Sequence, residues 1–209
     1  SSVGQLDLYA GRDIKMSQEM VMADGDVTLW PQVGAKKQVG LDRLGSSRLY
    51  NALLNYKVGG SMPSTLHQAD QQVIHIHADR DIGSTEAGYN QAGWNVPKAA
   101  EVTAGRDIIG LTFVGQQFQD TDVTRIEAGR NIQGKNTGSF SATMGGQYGA
   151  FALAGPGELQ VRAGRQLDLG DAGGVRAVGN QYNAALSENS ARITLAAGMA
   201  KTLDVDTFV

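Results

Sequence analysis

Cysteine is absent from the 209 residues, which excludes disulfides, thiol nucleophiles and Cys-ligated zinc. That absence leaves the compartment open, since secreted and intracellular chains alike can do without Cys. Proline is scarce at 4 residues, so neither a collagen repeat nor a Pro-rich linker is at hand. Aromatic residues make up 6%, and the core must therefore be mainly aliphatic. No run approaches the ~18 consecutive apolar residues of a membrane-spanning helix. Neither sign of charge dominates: the net charge is -3, without the basic footprint expected of a nucleic-acid partner.

Glycine is abundant instead, with 28 residues, about twice ordinary usage. Much of it sits in one recurring phrase. "DLYAGRDIKM", "HIHADRDIGS", "EVTAGRDIIG", "RIEAGRNIQG" and "QVRAGRQLDL" share a frame in which Ala10, Ala78, Ala104, Ala128, Ala163 and, in a looser copy, Ala197 occupy one column. Two residues earlier stand Leu8, Ile76, Val102, Ile126, Val161 and Leu195, all aliphatic; Asp7, His75, Glu101, Arg125, Gln160 and Thr194 precede them, all polar. This is the period-two alternation of a strand with one buried face, and the six aliphatics are the expected core ladder.

After the Ala comes Gly11, Gly105, Gly129, Gly164 or Gly198, with Asp79 the exception. Gly and Asp tolerate positive φ, so a corner with that backbone is expected there. Ile14, Ile82, Ile108, Ile132 and Leu167 then restore an apolar position. The phrase reads as strand, bend, strand. Its Arg recurs at positions 12, 80, 106, 130 and 165, intervals typical of solenoid repeats, none of which buries its own apolar face. Stacked corners produce parallel strands about an axis: an all-β, parallel β-helix. Copies of the phrase imply about seven or eight coils at ~4.8 Å each.

Stacked Arg12, Arg80, Arg106, Arg130 and Arg165 would repel by roughly 0.8 kcal/mol per neighbour in water. Asp13, Asp81 and Asp107 beside them supply opposite charge, with Asn131 in the same place of the fourth copy. Burial of each ladder side chain contributes ~1.5–3 kcal/mol and outweighs the repulsion. The Gly-Arg-Asp positions are read as structural corners.

"AGRDI", "AGRNI" and "AGRQLDLG", with "LAGPGELQVRAGRQLDLGDAGGVRAVGN" at 153–180, resemble filamentous-haemagglutinin-type exoproteins, the large secreted partners of bacterial two-partner secretion systems. The resemblance implies a right-handed parallel β-helix at the bacterial cell surface, exported through an outer-membrane transporter. It further implies a role in adhesion to a receptor or glycan on a host or neighbouring cell, or as a stalk for contact-dependent toxins. Strand-like sequence at both ends, "LDLYA" and "TLDVDTFV", leads to the expectation of a single β-helix segment, 1–209, of a longer protein.

Two stretches interrupt the frame. The first, about 31–72, contains Leu49, Leu53 and Tyr56 at helical spacing ahead of Gly59 and Gly60, which predicts a short helix. The second, about 84–98, holds Tyr89 and Trp94 beside Asn and Gln, a combination that can stack on sugar rings and bond their hydroxyls. His75 and His77 share the outward face of one strand, and metal binding there is left open. Asp24, Asp26, Asp120 and Asp122 match neither a calcium nonapeptide nor an EF-hand loop.

An enzyme is not expected, and no cofactor is implied. The chain lacks the G-x-S-x-G elbow and the phosphate-binding G-x-x-x-x-G-K-[ST] loop. The alternative kept alongside is a β-helix carbohydrate-active enzyme using Asp120 and Asp122, ~7 Å apart if extended, or a sugar-binding module centred on Trp94.

Overall fold

A computed structural model describes residues 4–16, 19–22, 70–84, 93–96, 98–134, 151–170, 174–179 and 187–198. Each copy of the repeated phrase forms two short strands with a two-residue bend between them, because the Ala-Gly-Arg step interrupts an otherwise alternating run. The first strands are β1 (Asp7–Ala10), β4 (Ile74–Ala78), β7 (Ala100–Ala104), β10 (Val123–Ala128), β13 (Glu158–Ala163) and β16 (Arg192–Ala197). The second are β2 (Ile14–Met16), β5 (Ile82–Ser84), β8 (Ile108–Ile109), β11 (Asn131–Gln133) and β14 (Gln166–Asp168). A third set follows outside the phrase: β3 (Glu19–Val21), β6 (Gly93–Val96), β9 (Thr112–Gln116), β12 (Phe151–Ala154) and β15 (Val175–Gly179).

Among the described residues every strand belongs to one of three parallel sheets, and successive strands fall in the first, second and third sheet in turn. The first sheet has the order β1-β4-β7-β10-β13-β16; the second runs β14-β11-β8-β5-β2 and the third β15-β12-β9-β6-β3. The chain is thus all-β, with five complete strand triplets and a sixth first-sheet strand, compatible with a β-helix or solenoid.

The expected core ladder is reproduced by the strand register. Leu8 pairs with Ile76, Ile76 with Val102, Val102 with Ile126, Ile126 with Val161, and Val161 with Leu195. Ile76, Val102, Ile126 and Val161 are buried, and Leu8 is partly buried against the same cluster. Leu195 departs from the expectation at 50% exposed. It lies on β16, which pairs on one side only among the described residues, so no strand closes over it. In the second sheet Ile14, Ile82, Ile108, Ile132 and Leu167 form an equally continuous column.

The corner glycines require a correction. Of the column Gly11, Gly105, Gly129, Gly164 and Gly198, only Gly198 has a positive φ. What demands glycine is the closeness of stacked backbones. A Cβ on Gly105 would lie 2.1 Å from the Asp79 carbonyl oxygen, one on Gly129 2.3 Å from that of Gly105, and one on Gly164 2.2 Å from that of Gly129. At Gly11 the nearest atom would be 3.9 Å away, on the Asp79 side chain. Gly129→Ala is therefore expected to lower stability by at least about 1–3 kcal/mol, as overpacking against fixed backbone does, whereas Gly11→Ala should shift it by less than ~0.5 kcal/mol. Urea unfolding midpoints of the two variants check this; equal midpoints would contradict the close-stacking account.

The interruption at about 84–98 is only partly a loop. Gly93–Val96 form β6, within the third sheet and paired with β3 and β9. Residues 31–69, with the helix expected there, lie outside the described residues, as do Asp24, Asp26 and Tyr89.

Candidate functional site

The repeated corner builds a staggered ionic ladder. Arg80 Nε lies 3.4 Å from Asp13 Oδ1, Arg106 Nε lies 3.5 Å from Asp81 Oδ1, and the Arg130 guanidinium pairs with Asp107. Each Asp thus faces the Arg of the next repeat. The same carboxylates accept the backbone N–H of the residue stacked above them: Asp81 N donates to Asp13, Asp107 N to Asp81, and Asn131 N to Asp107. Arg N–H groups donate to Arg carbonyls between repeats at 2.7–2.8 Å. This arrangement answers the repulsion expected of stacked Arg. The ladder stops where Asn131 takes the place of Asp: Asn131 donates back to Asp107 through Nδ2 at 2.9 Å, and Arg165 has no acidic residue at that place in the repeat below.

Three carboxyls are held below the usual carboxylate range. Burial would raise Asp107, but Arg130, the Asn131 N–H and the Asn131 amide outweigh it. Burial likewise opposes ionisation of Glu158, and Thr194, Arg192 and Gln160 overcome it. For Asp70 the same contest is won by Lys98 and the N–H groups of Gln72 and Gly4. A carboxyl depressed in the folded chain stabilises it fully above the unfolded-state value, near 4, and that contribution is lost as pH falls through the lower folded value. The melting temperature is accordingly expected to be flat above about pH 5 and to drop steeply below about pH 4. A melting temperature that rises on acidification would overturn the assignment.

The outer face of the first sheet carries the other ordered polar groups. His75 and His77 point outward, as the alternation predicts, each with a side chain 41% exposed. His75 lies between Asp7, at 3.1 Å, and Glu101, at 3.7 Å; Arg125 holds the other Glu101 oxygen at 3.0 Å. His77 meets Thr103 Oγ1 through Nδ1 at 2.7 Å and Asp79 through Nε2 at 3.0 Å. Tyr9, 66% exposed, stands beside it with ring centroids 6.4 Å apart. Among the described residues no three His, Asp or Glu side chains converge as a metal ion would require. Nothing in the repeated phrase singles these residues out; the alternation of strand faces is the only signal for them.

Trp94 does not stand in an exposed loop as expected: it is fully buried in β6, its neighbours in register being Met20 and Phe113. The polar residues around it disguised an inward-facing strand position. Asp122 is committed to a turn, accepting from Phe118 N at 2.9 Å and Gln119 N at 3.0 Å, and Asp120 accepts from Asn189 Nδ2 at 3.2 Å.

Sequence reading also missed a buried ion pair. Lys98 Nζ donates to Asp70 Oδ2 and to the Gly4 carbonyl, both at 2.8 Å, with the two side chains 4% and 3% exposed. Both residues sit at the ends of the interrupting stretches, where no repeat pattern marks them.

Compared with protein-family models, curated proteins and solved structures, the chain matches none.

Proposed function

We propose that the chain is a rigid segment of a filamentous-haemagglutinin-like exoprotein, in which the three sheets are the three faces of a right-handed parallel β-helix. The handedness follows from the rule that parallel crossover connections are right-handed in ~98% of cases. The observation that carries the reading is the in-register stacking of the repeated phrase, Ile76 to Val161 buried inside and Arg80, Arg106 and Arg130 on preceding aspartates outside. Such a stack suits a stalk: every repeat braces its neighbours through backbone, apolar and ionic contacts at once. Its work is then mechanical and adhesive, presenting loops to a receptor or glycan on a host or neighbouring cell after export through an outer-membrane transporter. The sugar-processing alternative rests on Asp120 and Asp122, of which Asp122 already accepts from Phe118 N and Gln119 N, or on Trp94, which is buried.

Antibody raised against the chain should label intact, unpermeabilised bacteria producing the parent protein. The purified chain on beads should bind target-cell surfaces while releasing no reducing or unsaturated sugar from polysaccharides. Labelling only after permeabilisation, or sugar release, would overturn the reading.

A further inference from the structure

The stack of coils ends in two surfaces that match one another. At one end β16 leaves its inner column uncovered: Ile193 is 36% and Leu195 50% exposed. At the other, Leu6, Leu8 and Ala10 of the same column are only partly buried. Both β1 and β16 pair on one side only among the described residues, and an unpaired strand edge is a template for a further strand. The corner hydrogen bonds form a column of the same kind. Each corner Ala carbonyl accepts the N–H of the following coil's corner, from Asp79 on Ala10 to Gly198 on Ala163. That column starts at the Gly11 N–H and ends at the Ala197 carbonyl.

Gly11 supplies a second, independent observation. Gly105, Gly129 and Gly164 are glycine because a Cβ would strike the carbonyl of the coil beneath. A Cβ on Gly11 meets no atom closer than 3.9 Å, and that atom belongs to Asp79 of the coil above. Its φ is not positive either, so nothing among the described residues demands glycine there. A coil stacked beneath β1 would demand it.

We propose that a second copy of this chain supplies that coil, its β16 seated beneath β1 in the register that the first sheet already uses. Continuing that register sets Ile193 beneath Leu6, Leu195 beneath Leu8 and Ala197 beneath Ala10, so the inner column runs on from copy to copy. On the outer face Thr194 falls beneath Asp7 and Ala196 beneath Tyr9, whose 66% exposed ring then meets a methyl group and not a bulky side chain. Arg192, two residues before Thr194, brings a charge opposite to that of Asp7 to the diagonal position. The Ala197 carbonyl accepts the Gly11 N–H, and Gly11 passes over Gly198 with no Cβ between them. The two ends are different surfaces, so the contact is heterologous: it closes no ring and gives open head-to-tail chains of copies. This association needs only the stacked coils and stands apart from the adhesive reading.

The test is sedimentation velocity of the whole chain at rising concentration, which should show an open series of oligomers and not a single closed dimer. Leu195→Asp blocks one end and Gly11→Ala the other. Each should weaken association at least about tenfold, by an uncovered charge in the first case and a methyl group driven against a carbonyl in the second. Circular dichroism melts of the dilute variants should stay near that of the wild type. The decisive arm mixes the two variants: the intact β1 end of Leu195→Asp meets the intact β16 end of Gly11→Ala, so the mixture should form one-to-one dimers and stop there. A wild-type chain that stays monomeric at every concentration, leaving its ends to other segments of its own chain, would overturn the proposal. So would a wild-type series that closes at a dimer, and these two results decide even if a variant fails to fold. Association that either variant leaves intact, or a mixture no more associated than its separate parts, would overturn it as well.

Discussion

Lys98→Ala is expected to cost about 3–5 kcal/mol, because it leaves the Asp70 carboxylate buried without its cation. Asp70 accepts from Lys98 Nζ at 2.8 Å, Gly4 N at 2.7 Å and Gln72 N at 2.9 Å. Gly4, Asp70 and Lys98 lie just ahead of β1, β4 and β7, so one buried cluster aligns the starts of three neighbouring strands. The pair itself is no guarantee of net stability, since desolvating two charges offsets their attraction. The discriminating variant is therefore the double change Asp70→Asn with Lys98→Met, which removes both charges and should recover part of the loss. Urea midpoints measure the difference, and hydrogen exchange should place the Lys98→Ala loss in β1, β4 and β7 while sparing β13 and β16. Equal midpoints for the single and double variants would show that the stranded charge is not the cause.

How much of this could be read from the sequence depends on which sheet is considered. The first two sheets were legible because their strands alternate: β7 and β4 run buried, half-buried, buried along their length, and the Ala-Gly-Arg corner sets their frame. The third sheet was not legible. Phe151–Ala154 is buried at every position, and Thr112–Gln116 at all but its first. Parallel strands covered on both faces lose the alternation that marks a strand in sequence. Their local phrases, "GWNV", "TFVGQ" and "FALA", share no motif either, so Trp94 read as a loop residue. The corner glycines were found for the right column but the wrong reason. Positive φ is a property of single residues, whereas a carbonyl 2.3 Å from a missing Cβ is a property of two stacked chains. Of the polar groups, the outward position of His75 and His77 followed from periodicity, while the approach of Asp7 and Glu101 to His75 needed the register. The Lys98–Asp70 pair had no sequence signal, since it joins ends of irregular stretches 28 residues apart.

The largest effect is expected of Val102→Asp. Val102 is 0% exposed and stands midway along the inner column, between Ile76 and Ile126 in register. No cation lies in that column to pair with a carboxylate, so the side chain must either ionise in apolar surroundings or bind a proton and leave polar atoms unpaired; both are costly. A loss above about 4–5 kcal/mol is expected, a large share of the ~5–15 kcal/mol that a folded domain has in all. Arg106→Ala supplies the surface comparison. Its side chain is 39% exposed and reaches Asp81 only at 3.5 Å, so its removal should change stability by less than ~1 kcal/mol. The sharper comparison stays within the column: Leu195→Asp places the same group at the equivalent position of β16, where the native side chain is 50% exposed and water can solvate the charge. Circular dichroism melts should then rank Val102→Asp far below Leu195→Asp and Arg106→Ala, with the cost of one substitution in one column following burial along the stack. If Val102→Asp and Leu195→Asp melt together, the inner column is not a continuous buried row, and the stacking that supports the stalk reading fails with it.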